Sequence, residues 1–139
     1  MATKRNYWIG IPLLLAGATW FGVHLWNKAP ESLIHTDPNH VLEAQQLLRK
    51  FQNNTAQSNQ LYINQIIQVS GTCLKVESEG DSLYYVYIGG QGNGDVQCQL
   101  ESIDGPLPKK GDPIQCKGVC NAYDKDADGV MMTRCVLTP

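Results

Sequence analysis

The sequence predicts a mainly β protein with helical additions: an N-terminal transmembrane helix, an amphipathic helix, and then a small barrel of five strands. Three observations carry that expectation. The run from Tyr7 to Trp26 contains no Asp, Glu, Lys or Arg. Between Val41 and Phe51, apolar residues recur at helical spacing. From Ile66 onward, apolar and polar residues alternate in short runs separated by Gly, Asp and Pro, the period-two pattern of half-buried strands. At 139 residues there is room for one small core plus an appendage. The chain therefore divides into a cytoplasmic N-terminus (1–6), a membrane span (7–26), a linker (27–40) and a folded domain (41–139).

Twenty helical residues span about 30 Å, the hydrocarbon thickness of a bilayer. Tyr7 and Trp8 at one end, and Trp26 with Lys28 at the other, are suited to the interfaces. Lys4 and Arg5 precede the span, so the N-terminus is expected in the cytoplasm and the domain outside it, in a single-pass protein of the cell membrane. A cleaved signal peptide would use Ala16-Gly17-Ala18, but apolar character continues through Trp20, Phe21, Val23 and Leu25, which favours a retained anchor. Leu15-Ala16-Gly17 resembles the start of a lipoprotein box, yet Ala18 stands where the lipidated cysteine would be. Pro12 and His24 fall within the span, where His24 reads as interfacial. In the linker, His35 and His40 bracket Asp37 and read as solvated residues, not as metal ligands.

Thr36, Asp37 and Pro38 offer a helix start. A helix of about four turns follows, with Val41, Leu42, Ala44, Leu47, Leu48 and Phe51 on the face expected to pack against the barrel. The pattern fades between Asn53 and Asn59, and Asn53-Asn54-Thr55 is a glycosylation sequon too short to carry weight. In the first strand Ile67, Val69, Gly71 and Cys73 share a face, with Gly71 permitting sharp coiling. Glu77 to Asp81 turns into the second strand, Ser82 to Ile88, where Tyr84, Val86 and Ile88 oppose Leu83, Tyr85 and Tyr87. Gly89 to Gly94 breaks that strand, and Val96, Cys98 and Leu100 mark the third. Glu101 to Pro108 is a connection where barrels of this type often carry a helix or loop. Lys109-Lys110-Gly111-Asp112-Pro113 reads as a turn, because Gly111 can take φ > 0 and Pro113 disfavours helix at Asp112. It feeds a fourth strand with Ile114, Cys116, Gly118 and Cys120 on one face. Asp124 to Gly129 turns into the fifth, Val130 to Leu137. One helix and five strands in this order make an OB-like barrel.

Several of these stretches together resemble the tRNA_anti-like OB-fold family. They are Leu47-Leu48-Arg49-Lys50-Phe51, Tyr62, Ile66-Ile67-Gln68-Val69-Ser70-Gly71-Thr72, Val96-Gln97-Cys98, Lys110-Gly111-Asp112, Lys117-Gly118-Val119-Cys120 and Arg134-Cys135-Val136-Leu137. The resemblance covers residues 41 to 138 and implies an OB barrel with a preceding helix. Many of that family are small bacterial envelope or lipoprotein-like chains of unassigned activity, and the likeness to anticodon-binding domains in its name is weak support for RNA. The Gly89 to Gly94 loop and the acidic Asp124 to Asp128 turn depart from the simplest pattern.

Five cysteines in an exported domain suggest a disulfide. If Asp124 to Gly129 closes an antiparallel hairpin, Cys120 lies opposite Thr133 to Cys135, making Cys120 and Cys135 the candidate pair. Closing that loop of about 15 residues would stabilise by roughly 3 kcal/mol. Cys73, Cys98 and Cys116 read as core residues. Cys116 and Cys120 lie about 13 Å apart along one strand face, too far to share an ion, so no metal is expected at the cysteines. Asp124, Asp126 and Asp128 occupy alternate positions of a calcium-type loop, but the twelfth position is Cys135, which leaves an acidic turn and a weak calcium candidate.

Tyr84, Tyr85 and Tyr87 are the ligand-face candidates, because OB barrels bind oligonucleotides and oligosaccharides across their second and third strands. Residues 60–139 hold ten acids against six bases, near −4, which disfavours nucleic acid and leaves an oligosaccharide admissible. With no Ser/His/Asp arrangement, no histidine beyond His40 and no Lys in the glycine loop, neither enzyme nor cofactor is expected. The expectation is a non-catalytic, membrane-anchored module docking on a larger membrane or envelope protein complex as an accessory subunit. The alternative is an exported module that binds an oligosaccharide or single-stranded nucleic acid through the tyrosine face.

Overall fold

The computed structural model describes residues 33–89, 92–101, 103 and 105–138. The cytoplasmic segment 1–6, the span expected at 7–26 with Pro12 and His24, and the linker up to residue 32 lie outside the described residues. Among the described residues, no helix is long and apolar enough to cross a membrane.

The apolar stripe after the linker forms a helix, but one that begins later than its pattern suggests. His40–Glu43 is extended (β1) and pairs in parallel with the start of β2 (Ile66–Glu79), His40 beside Ile67 and Glu43 beside Ser70. Val41 and Leu42 alternate as a strand does, Val41 being 65% exposed and Leu42 half-buried. Pairing with β2 supplies backbone partners that a further helical turn would otherwise have to supply. Helix α1 is thus Ala44–Asn53, capped by Glu43 and not by Thr36 or Asp37. The Glu43 N–H donates to Gln46 Oε1 at 3.1 Å, one arm of a capping box.

Where the periodicity fades, a second helix forms: α2, Thr55–Tyr62. Asn54 caps it, its Oδ1 accepting the Gln57 N–H at 3.1 Å. Only Ser58 and Tyr62 of α2 are buried, too few to leave a readable stripe. Within the expected linker, Leu33–His35 make a 3-10 turn with Leu33 buried, and Lys117 Nζ donates to the Ile34 carbonyl at 2.9 Å.

The barrel is built from β2, β3 (Leu83–Gly89), β4 (Asp95–Leu100), β5 (Pro113–Asp124) and β6 (Gly129–Thr138). It closes in the order β2-β3-β4-β6-β5-β2, antiparallel throughout except between β4 and β6. No helix forms among the described residues of the 101–112 connection. Strand β2 is long because it serves two neighbours, pairing with β5 over residues 66–72 and with β3 over 72–79. The switch falls beside Gly71, where a Cβ would lie 2.6 Å from both the Gly89 carbonyl oxygen and Ile88 Cγ2. The turn before β5 forms as read, with Gly111 at φ 94° and the Lys109 N–H donating to Asp112 Oδ2 at 2.9 Å. It docks on β2 through Gly111 N–H to Cys73 O and Cys73 N–H to Asp112 O, both 2.8 Å.

A single core runs through the barrel and under α1. Ile67, Val69, Val86, Ile88, Val96, Val130 and Met132 meet Ala44, Leu47, Leu48 and Phe51 of the helix. The Phe51 ring stacks on Tyr123 at 5.1 Å between centroids and lies 5.9 Å from Tyr62.

The expected Cys120–Cys135 disulfide is absent, and all five cysteines are free and buried. The hairpin register starts as expected with Asp124 opposite Gly129, then slips between Cys120 and Ala122, and again between Lys117 and Val119, leaving Cys120 opposite Met132. On β6, Val130 and Met132 are buried, but past Arg134, at φ 53°, the buried residue becomes Cys135. Bulges of this kind re-aim a side chain, and holding a non-glycine residue at positive φ costs roughly 1–2 kcal/mol. Cys135 consequently pairs beside Leu100 of β4.

Burial pushes the Cys120 thiol up to about 12 from its ordinary 9.0, and burial with the Asp128 hydrogen bond pushes the Tyr123 hydroxyl to about 12. Between those values the unfolded chain loses protons that the fold retains. Stability should therefore be fully present below about pH 9 and fall as pH rises, by up to ~1.4 kcal/mol per unit for Cys120. Urea melts should show declining midpoints across that window, with Cys120→Val flattening the slope; an unaltered slope in the variant would refute this account.

Candidate functional site

Burial alternates along β3, placing Val86 and Ile88 in the core and Tyr85 and Tyr87 on the outer face. Tyr84 packs against the core, so two of the three candidate tyrosines share the exposed face. Cross-strand register extends it. Tyr87 stands beside Lys75 on β2 and Gln97 on β4, and Gln97 beside Met131 on β6. Tyr85 stands between Glu77 and Gln99. At ~4.8 Å per strand, the row Lys75, Tyr87, Gln97, Met131 is about 14 Å wide. Met131 is 44% exposed and supplies apolar area at its end.

Carboxylates hold the two rings. Tyr87 Oη donates to Glu77 Oε2 at 2.9 Å and Tyr85 Oη to Glu79 Oε2 at 3.3 Å. Lys75 Nζ lies 2.9 Å from Glu77 Oε1 and 4.3 Å from the Tyr87 ring centroid. Hydrogen bonds from Lys75 and Tyr87 hold the Glu77 carboxyl below its usual range, and the Glu77 bond raises Lys75. Desolvation, with the adjacent carboxylates, raises both tyrosine hydroxyls, so they remain donors at neutral pH. Glu77, Glu79 and Asp95 give this side three acids against Lys75. The arrangement offers flat rings, amides and a negative field. That suits an uncharged or basic ligand and repels phosphate.

Gln97, Gln99 and Met131 were not among the sequence-predicted residues. The alternation of Val96, Cys98 and Leu100 implies that Gln97 and Gln99 point outward, but Met131 joins them only through the parallel β4–β6 pairing.

The acidic turn is a turn. Asp124 Oδ1 accepts the N–H groups of Asp126 and Ala127 at 3.0 and 3.2 Å. The Asp128 carboxylate accepts Tyr123 Oη at 2.8 Å and Gln52 Nε2 at 2.8 and 2.9 Å. Asp124, Asp126 and Asp128 do not converge as ligands; among the described residues the group that does is Cys98, Cys116 and Cys135. A groove of about 1060 Å³ runs between the start of α1 and the barrel, lined by Gln45, Arg49, Thr72, Pro108, Gln115 and Thr138 among others. Glu43 and Arg49 both line it.

Comparison with known proteins agrees with this architecture. The tRNA_anti-like family model matches residues 1–136, extending past the stretch read from sequence to include the N-terminal run. Among solved structures, the "putative nucleic acid-binding lipoprotein" of Klebsiella pneumoniae subsp. pneumoniae MGH 78578 aligns at TM-score 0.54 and 14% identity, over 70% of this chain and 91% of that one. At that identity the likeness concerns the fold. The asparaginyl-tRNA synthetase of Entamoeba histolytica, in complex with asparaginyl-adenylate, aligns at TM-score 0.41 and 19% identity, over 54% of this chain, which spans 20% of that enzyme. No curated protein matches.

Proposed function

Because the chain belongs to the tRNA_anti-like family, with the OB barrel that membership entails, we propose that it is a non-catalytic, membrane-anchored binding module. In this reading it docks on a larger envelope complex as an accessory subunit through the outer face of β3 and β4. The observation that carries the reading is the row of Tyr85, Tyr87, Gln97, Gln99 and Met131, with its rings held by Glu77 and Glu79. Tyrosine and methionine are enriched where proteins meet, and rings already fixed lose little freedom on binding. The uncharged run 7–26 supports attachment to the membrane. Although the Klebsiella neighbour is described as nucleic acid-binding, three acids against one paired lysine weigh against a phosphate backbone on this face. A second reading, an oligosaccharide, draws on the same rings flanked by two glutamine amides, since an aromatic ring stacks on the apolar face of a sugar while amides bond its hydroxyls.

The test is co-purification of the full-length chain from native membranes in mild detergent, with intact mass on the recovered protein. A stoichiometric partner beside an uncleaved chain is expected. Tyr85→Ala with Tyr87→Ala should lower partner recovery about 30-fold, the weight of a 2 kcal/mol hot spot, while circular dichroism stays unchanged. A partner retained by the folded double variant would sink the face assignment. A lone, shortened chain that binds immobilised glycan would favour the second reading.

A further inference from the structure

Outside the tyrosine face, one cluster of reactive side chains gathers in the barrel interior. Cys98 of β4, Cys116 of β5 and Cys135 of β6 point into the barrel with 0% exposure, and their Sγ atoms all lie within 4.8 Å of one another. Sequence spacing offers Cys120 with Cys135 as a pair and leaves Cys116 as a core residue. The fold instead sets Cys116 beside two sulfurs from other strands.

Two local departures from regular geometry bring the third sulfur in. The Arg134 bulge turns Cys135 inward. On the facing strand Gly118 leaves room for it: a Cβ there would sit 2.5 Å from Cys135 Sγ.

We propose that Cys98, Cys116 and Cys135 form a three-sulfur binding site for a soft metal ion, Cu(I). A metal equidistant from three sulfurs at about 2.3 Å sets them roughly 4.0 Å apart, so the observed spacing closes on an ion with shifts of under about 1 Å. The donor set selects the ion. Three sulfurs without oxygen donors exclude the chemistry of calcium and magnesium, and zinc in closed sites takes four ligands, whereas no fourth His, Cys, Asp or Glu joins this group among the described residues. Three fully buried soft thiolates suit Cu(I). Binding replaces thiol protons, which leave to solvent, and the metal keeps its oxidation state. Bound to three strands that are neighbours in the sheet, β4, β6 and β5, the ion would tie together the part of the barrel where both register slips occur.

The experiment uses the full-length chain, reduced and anaerobic in detergent, titrated with Cu(I) held by bathocuproine disulfonate. Because the sulfurs are fully buried, loading is done both by direct addition and during refolding. One Cu(I) per chain should be withdrawn from the competitor, with three sulfur neighbours by X-ray absorption. Cys98→Ala, Cys116→Ala and Cys135→Ala should each abolish this, and Cys73→Ala and Cys120→Ala should retain it. No withdrawal by either route, unchanged stoichiometry in Cys116→Ala, or Co(II) bound with tetrahedral d–d bands would overturn the proposal. Should the core variants fail to fold, X-ray absorption on the wild-type chain decides: fewer than three sulfurs, or oxygen and nitrogen neighbours, overturns it equally.

Discussion

Truncating Phe51 to alanine should lower the free energy of unfolding by about 3–5 kcal/mol, a large fraction of what a domain of this size possesses. Its ring is fully buried, and two other aromatic rings, from α2 and from β5, lie against it. Alanine would leave a cavity that Tyr123 cannot collapse into, since its hydroxyl is tied to Asp128 and Asp128 is tied to Gln52. Urea unfolding followed by circular dichroism measures the loss. Gln52→Ala, one residue along and exposed, should cost no more than about 1 kcal/mol. If the two variants melted alike, the helix would contribute through its surface bonds and not through packing.

Gly71→Ala should cost about 1–3 kcal/mol, toward the upper end, because one of the atoms the new methyl meets is a backbone carbonyl. Ile88 is fully buried and β-branched, so its Cγ2 has little room to give, and the Gly89 oxygen moves only if β3 moves. Gly80→Ala makes a contrasting control. Nothing lies within 4 Å of a Cβ there, and its penalty comes from φ of +70° alone, roughly 1 kcal/mol. Thermal melts of the two variants would separate steric closure from backbone preference, and equal losses would contradict the tight approach of β2 to β3.

Much of this architecture is legible in the residues because barrel strands alternate. The pairs Val86 with Ile88 and Val96 with Cys98 announce an inner face, and Lys109 to Pro113 announces the turn into β5. Where the fold departs from the sequence pattern, the causes are physical. Helix α1 starts later than its apolar pattern because Val41 and Leu42 satisfy a helical stripe as well as a strand, and only the distant partner β2 decides between them. Helix α2 is silent in the pattern because a helix that buries two residues leaves no period. An unbroken hairpin sets Cys120 near Cys135, whereas the bulges at Asn121 and Gly118 shift the count; Gly118 is a strand glycine of the kind that marks a bulge, while Asn121 gives no such sign. The same slips gathered three cysteines that spacing had separated. Of the candidate site, Tyr85 and Tyr87 could be placed on one face from β3 alone, while their neighbours across the sheet required the strand order.

The two-sided pairing of β2 also sets the tempo of folding. Its second half meets β3 across a short turn, but its first half must find β5, with Ile66 beside Val119 and Thr72 beside Pro113. Those contacts join residues 41 to 53 positions apart, and the entropy of closing so long a loop is lost before the pairing returns anything. A growing chain thus holds a preformed β2–β3 ribbon whose other edge stays unsatisfied until its last third has been made. The seam cannot close before β5 has been made, and until then the Ile66-to-Thr72 edge is a place where a second chain could pair in its stead.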